Sequence, residues 1–324
     1  AFLAKAGLWP LNFWLPSAYA AASAPAAAVF AILTKVGVYA VLRLWTLCFP
    51  ADAGASAGFG GAVLVWGGTA TLAFGAVGML ASQQLARLAG YSVIASSGTL
   101  IAAIGFDIPA LTGGAIFYLV SSTLAGCALF LLVELLERSR QVEVGPEQLD
   151  DGSHALVTFL DEAAHAGVNL DDNEEALIGR AIPAGLAFLG VAFTVCAMVT
   201  AGLPPLSGFV AKVAMLSALL EQPRPAAWTL FGWLILSGLL GAIALMRVGM
   251  RHFWTAQDRP APRLRVIEAL PIAALLALAM TLVLQADAGL TYARATADSL
   301  HRPALYIDAV MGVRPVVSHE EALP

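Results

Sequence analysis

Apolar windows of roughly 20 residues repeat along this chain from one end to the other, and nothing else in the sequence constrains its fold as strongly. They fall near residues 25–48, 60–81, 88–105, 111–136, 181–220, 227–250 and 266–287, the fifth interrupted by Pro204-Pro205. About 20 residues of α-helix cross a hydrocarbon core of ~30 Å, and in lipid a spanning backbone must satisfy its own hydrogen bonds. The expected fold is therefore all-α, a polytopic bundle of membrane helices. Only 12% of residues are charged, against about a quarter in soluble domains. Gly67-Gly68, Gly113-Gly114 and Ala26-Ala27-Ala28 mark places where helices can pack closely without a hydrophobic force between them.

Four stretches follow: membrane helices at 1–136, an acidic loop at 137–180, further membrane helices at 181–290 and a tail at 291–324. Residues 1–9 read as the end of an apolar helix, so further spans are expected upstream. Arg87, Arg138, Arg140, Arg180, Arg247, Arg251, Arg259, Arg263 and Arg265 fall on alternate connections. Arg43, Arg224, Arg294, Arg302 and Arg314 fall on the others, so the first side is expected to be cytoplasmic, with the acidic loop inside and the tail outside. Half of the 22 acidic residues lie in 137–180. That segment reads as a solvated connection, a docking surface for a partner subunit or an acidic antenna for cations, with a short amphipathic helix at 154–166.

Several function classes are excluded. A basic footprint for nucleic acid is absent. Cys48, Cys127 and Cys196 lie in apolar runs without Cys-x-x-Cys spacing and read as small buried hydrophobes. His154, His165, His252, His301 and His319 read as loop or tail residues without the i, i+4 pairing of a helical metal site. No metal and no cofactor is expected, and no nucleophile or phosphate-binding loop points to an independent enzyme.

The lysines carry the functional signal. All fourteen arginines fit loops, the tail or span ends, whereas Lys5, Lys35 and Lys212 lie within spans. A lysine near a helix centre costs about 2.5–3.5 kcal/mol on insertion scales. A desolvated ammonium gives up its proton readily, whereas a guanidinium stays charged, so lysine suits proton handling; snorkelling of its stem to an interface is the alternative. Two of the three stand beside helix breaks: Lys5 before Pro10 and Pro16, Lys212 after Pro204 and Pro205. Irregular backbone at membrane depth is tolerated only inside protein or beside a wet cavity, and paired broken helices mark inverted-repeat transporters. Ser92, Ser96, Ser97, Thr99, Ser121, Ser122 and Thr123 populate the central spans, either bonding back to their own helices or holding water between lysines. Glu134, near the cytoplasmic end of its span, reads as an exit group or an interfacial one.

These residues resemble a known family. Pro10-Leu11-Asn12-Phe13-Trp14-Leu15-Pro16, Leu33-Thr34-Lys35-Val36-Gly37-Val38-Tyr39, Gln83-Gln84-Leu85-Ala86-Arg87-Leu88-Ala89-Gly90-Tyr91-Ser92 and Gly202-Leu203-Pro204-Pro205-Leu206-Ser207-Gly208-Phe209 are similar to the antiporter-like subunits shared by respiratory complex I and the Mrp-type cation/proton antiporters. The wording around Lys35 and Pro204 looks most like the D-type subunit of the Mrp/Pha antiporters. The resemblance implies a fourteen-helix subunit with inverted repeats, of which this chain carries the portion from about the seventh helix onward. It implies that Lys5, Lys35 and Lys212 match the lysines of the half-channels and central hydrophilic axis, with a carboxylate partner for Lys5 upstream. Relatives carry His or Gln near Ser96, and His and Lys where this chain has Ser121 or Ser122 and Gly126, so proton transfer there would rest on water and hydroxyls. Its implied partners are the other subunits of a monovalent cation/proton antiporter, the bilayer, protons and monovalent cations. A proton-pumping subunit of complex I or of a membrane-bound hydrogenase, and a non-conducting scaffold subunit, remain open beside it.

Overall fold

The computed structural model describes residues 1–50, 53–141, 184–253 and 264–312 of the 324. From residue 142 on, the acidic connection and its expected helix at 154–166 lie outside these residues, as do His154, His165 and His319. The chain is a helix bundle: α1 (Phe2–Lys5), α2 (Leu15–Ala21), α3 (Ala24–Cys48), α4 (Gly61–Ala81), α5 (Leu85–Gly105), α6 (Pro109–Gln141), α7 (Ala184–Ala201), α8 (Ser207–Leu220), α9 (Pro225–Phe253), α10 (Val266–Leu284), α11 (Ala286–Leu300) and α12 (Pro303–Met311). Among the described residues, seven helices are long and apolar enough to cross a membrane, and they coincide with the seven windows read from the sequence. This is a multi-pass membrane protein. The 181–220 window becomes two helices, α7 and α8, separated at 202–206.

Prolines start helices here as well as break them. Pro16, Pro25, Pro109, Pro225 and Pro303 all stand in first turns, where a missing amide proton removes no intrahelical bond. Pro16 therefore opens α2, and the first break is centred on Pro10.

Helix α5 runs through the middle of the bundle and is buried along almost its whole length. It lies against α4 at backbone distance. A Cβ placed on Gly98 would fall 2.3 Å from the Leu72 amide nitrogen, and one on Gly75 would fall 2.5 Å from that of Ala95. Only glycine admits this approach, which brings the 92–99 stretch of α5 inside the bundle.

The connections sort onto two ends, as single crossings require. At one end the Arg247 guanidinium donates to the carbonyls of Leu80 (2.6 Å) and Ser82 (2.9 Å), and Arg251 donates to Gln83 Oε1 at 3.3 Å. These bonds tie the end of α9 to the α4–α5 connection. At the other end His301 Nε2 lies 3.1 Å from Asp107 Oδ1, and the Arg43 guanidinium stacks 4.1 Å above the Tyr306 ring.

Three expectations need correction. Residues 291–311 are not a plain tail: α11 crosses the expected 290/291 boundary and packs on α6 through Gly289, Ala293 and Ala297, too few apolar residues to register as a span. His252 lies in the last turn of α9 and His301 caps α11, each with Nδ1 on a carbonyl of its own helix, so neither is a loop residue. Cys127 and Cys196 are buried as expected, but Cys48 is exposed because it is the last residue of α3.

Candidate functional site

Lys35 sits midway along α3 and is 4% exposed. Its ammonium donates to Ser96 Oγ, and to Ser97 Oγ at 3.3 Å, both on α5. The sequence named Lys35 and Ser96 separately, 61 residues apart; the close α4–α5 packing and the α3–α5 contact bring them together.

The central hydroxyls bond back to their own helices. Ser92, Ser96, Ser122 and Ser237 each donate to a carbonyl three residues back on their own helix, at 2.7, 2.9, 3.3 and 3.0 Å. With the proton spent in this way, each oxygen turns lone pairs outward as an acceptor. Those oxygens converge. An interior cavity of ≈20 Å³, room for about one water, is lined by Ser92, Ser96, Ser122, Thr200 and Ser237 together with Lys212. The Lys35 acceptor and the Lys212 side chain thus share one small polar chamber, with Tyr118 in its wall. Ser121 goes elsewhere: its hydroxyl meets that of Ser207, the first residue of α8, at 2.8 Å.

Lys212 is 7% exposed, and its ammonium donates to the carbonyl of Ala201 at 2.8 Å. In a continuous helix that carbonyl would accept from the amide of residue 205, which is Pro205 and has none. The lysine takes the place of the missing donor. Two glycines make the room. A Cβ on Gly202 would fall 2.5 Å from the Lys212 Cδ, and one on Gly238 would fall 2.7 Å from the Ala201 oxygen and 3.1 Å from Lys212 Nζ. Gly202 also holds a left-handed φ of +76°. Both breaks carry a cis X–Pro bond, Trp9–Pro10 and Pro204–Pro205.

The first break packs onto α3 and α4. A Cβ on Gly37, two residues past Lys35, would fall 2.9 Å from the Ala6 amide nitrogen, and the Trp9 amide donates to Thr71 Oγ1 at 2.7 Å. Asn12 is 1% exposed within the break, and its Nδ2 has no hydrogen-bond partner among the described residues. Lys5 lies at the edge of the described bundle. Its side chain is exposed and lines a groove of ≈390 Å³ with Trp14, Tyr19, Phe30 and Thr34, because only α1, α2 and α3 wall it among the described residues. Glu134 is exposed too. It lines a separate groove of ≈290 Å³ with Ser23, Ala86 and Glu137, and is not brought into the lysine–hydroxyl chamber.

Sequence reasoning passed over Tyr19, Thr200, Ser237 and Gly238. Tyr19 lines both grooves, stacks on Phe130 and shares a 2.8 Å hydrogen bond with Thr34, the neighbour of Lys35. The signals were present. Thr200 immediately precedes the second break, and Ser237-Gly238 is a small polar pair inside an otherwise apolar span.

Comparison with known proteins agrees with the fold. Residues 1–149 match the family described as NADH:quinone oxidoreductase/Mrp antiporter, TM. The chain is 49% identical over 319 residues to the D-type subunit of a probable K(+)/H(+) antiporter from Rhizobium meliloti, covering 96% of this chain and 57% of that protein. It is 30% identical over 311 residues to the D-type subunit of the Na(+)/H(+) antiporter from Bacillus subtilis, covering 95% and 55%. The chain thus spans little more than half the length of these curated relatives. In fold it is similar to a chain of the Mrp complex from Dietzia sp. DQ12-45-1b, with a TM-score of 0.71, 21% identity and coverage of 95% and 59%. A chain of respiratory complex I from Thermus thermophilus gives 0.68, 19%, 94% and 57%. Residues 1–149 thus carry the membrane segment of the NADH:quinone oxidoreductase/Mrp antiporter family, and nearly the whole chain is similar in sequence and fold to the proteins just named.

Proposed function

We propose that the chain is part of the proton-conducting membrane subunit of a multisubunit monovalent cation/proton antiporter, with Lys35, Ser96, Ser122 and Lys212 on the proton path. One observation carries this reading: the water-sized chamber that Lys212 of α8 lines is also lined by Ser96, the acceptor of the buried Lys35 ammonium of α3. Lysine can release and regain a proton there, and a single water can relay it. Lys5, beside the first break, is assigned to one mouth of the path, where its groove reaches Thr34. Glu134 is assigned to an exit at the other membrane face. Pro10, Pro204 and Pro205 keep the breaks open, and Pro16 starts the helix after the first. The partners are the other antiporter subunits, the bilayer, protons and a monovalent cation. The names of the two curated relatives favour antiport over the complex I or hydrogenase pump and over a scaffold role.

The cell inner membrane is the proposed location. Arg87, Arg247, Arg251 and Arg265 gather at one end of the bundle, which supports a cytoplasmic setting for that end and for the acidic 137–180 connection. The test is antiport in liposomes containing the intact complex with Lys5→Ala or Lys212→Ala. Cation-driven proton movement is expected to collapse in both; undiminished antiport with full assembly would remove the reading.

A further inference from the structure

The chamber beside Lys212 offers more acceptors than one water can use. Ser92, Ser96, Ser122 and Ser237, from α5, α6 and α9, line it, and each has spent its hydroxyl proton on a carbonyl of its own helix. What these oxygens bring to the ≈20 Å³ space is lone pairs. A water has two protons to give, so it leaves acceptors unmet. An anion is refused by the same oxygens, since none of the four has a proton left to donate.

The end of α7 adds to this. Pro205 leaves the Ala201 carbonyl without its helical donor, and Pro204 does the same to the carbonyl of Thr200, which also lines the chamber. A helix C-terminus carries partial negative charge and favours a cation, and the ends of broken helices are used in this way to hold ions. The Lys212 ammonium already occupies that position, 2.8 Å from the Ala201 oxygen. No carboxylate lines the chamber among the described residues, so nothing there balances a second positive charge. Its walls come from six consecutive helices, α4 to α9.

We propose that this chamber binds one dehydrated monovalent cation, sodium or potassium, in exchange for the Lys212 proton. The serine oxygens and the end of α7 stand in for the ion's water shell. Two positive charges so close together in a low-dielectric interior exclude one another, so the ammonium gives up its proton as the cation enters. One charge leaves as one arrives, and the net charge of the chamber is unchanged; a divalent ion would bring a charge that one departing proton does not offset. Neutral Lys212 keeps two N–H groups, enough to hold the Ala201 carbonyl and with it the helix break. The inference rests on the antiport reading above and places both ions in one chamber of this chain.

Cation-linked proton release tests it at equilibrium, in the detergent-solubilised intact complex, where no gradient drives transport. Sodium or potassium chloride is added against choline chloride at equal ionic strength. Released protons are followed with a pH-sensitive dye, and bound cation is counted with radioactive sodium or rubidium. About one proton should be released per cation bound, and apparent affinity should rise about tenfold per pH unit while Lys212 is protonated. Ser237→Val and Ser122→Leu fill the chamber from two different helices, and each should remove one cation site per complex together with its proton. Ser237→Ala, which takes away one oxygen and keeps the space, should weaken binding several-fold. Lys212→Met should lose the linked proton. Parent-like binding in either filled variant, in a complex of unchanged composition, would overturn the inference, as would parent-like affinity in Ser237→Ala or undiminished proton release in Lys212→Met. A complex in which Ser237→Val stops proton flux but leaves cation-linked release intact loses this site and keeps the proton path. Full antiport in Lys212→Ala removes the path itself, so the two failures are distinguishable.

Discussion

Lys212 donates its ammonium hydrogen bond to the Ala201 carbonyl, the acceptor that Pro205 leaves empty four residues downstream. One lysine thereby closes the helix break and borders the polar chamber, so the local fold and the proposed proton step share a single group.

Replacing that lysine should harm both. Lys212→Met keeps the length of the side chain but leaves a buried carbonyl unpaired, a loss of about 1–3 kcal/mol. Thermal unfolding of the purified complex is expected to begin at lower temperature, with antiport lost. Lys212→Arg is expected to fail as well, because Gly202 and Gly238 leave no space for a guanidinium and arginine keeps its proton.

Gly238→Ala probes the same geometry from α9. Its Cβ would fall 2.7 Å from the Ala201 oxygen, so the carbonyl and the ammonium must separate or shift. A displacement of ~1 Å in a working site costs up to about 10²-fold in rate. Antiport measured in liposomes should fall by roughly tenfold or more, while subunit composition stays that of the parent.

The chamber should also be sensitive to being filled. Ser237→Val adds apolar volume to a space of ≈20 Å³ and removes an acceptor, leaving no room for a water. Proton flux is expected to drop by about an order of magnitude. Ser237→Ala, which leaves the space open, should retain more flux than Ser237→Val; equal rates in the two would count against a wet chamber.

His301 gives a pH signature at the membrane surface. Burial alone would lower its pKa, but the hydrogen bond and charge of Asp107, with the Ala297 carbonyl, outweigh it and hold the ring above its ordinary 6.5. A raised value means that the contact stabilises the fold fully below the ordinary pKa and is lost as pH rises through the raised one. The melting-temperature gap between the parent and Asp107→Asn should be widest near pH 6 and close toward alkaline pH. Asparagine suits the left-handed φ of 55° at position 107, so the backbone itself is not the variable.

The spans were legible because their signal is long and their solvent uniform: a window of apolar residues has one solution in lipid. Helix α11 was not, because its buried face uses Gly289, Ala293 and Ala297 and its outer face is polar, so no window over it is apolar enough. Lys35 and Lys212 were legible as charges in apolar runs. Their partners were not, since Ser96 and Ser97 arrive from another helix and the Ala201 partner is backbone. Lys5 was legible as a charge beside a break, but which helices wall its groove is a tertiary fact that its sequence neighbours do not give.

Proton exchange between Lys35 and Lys212 through the serine-lined chamber is the step on which the proposed path depends. Cation-driven proton uptake, followed with a pH-sensitive dye in liposomes holding the assembled complex, tests this most directly for Lys35→Met and Ser122→Leu side by side. The expected result is a fall of at least about tenfold in both, since one removes a proton carrier and the other fills the chamber. Parent-like uptake by either, in a complex of unchanged composition, would contradict the path.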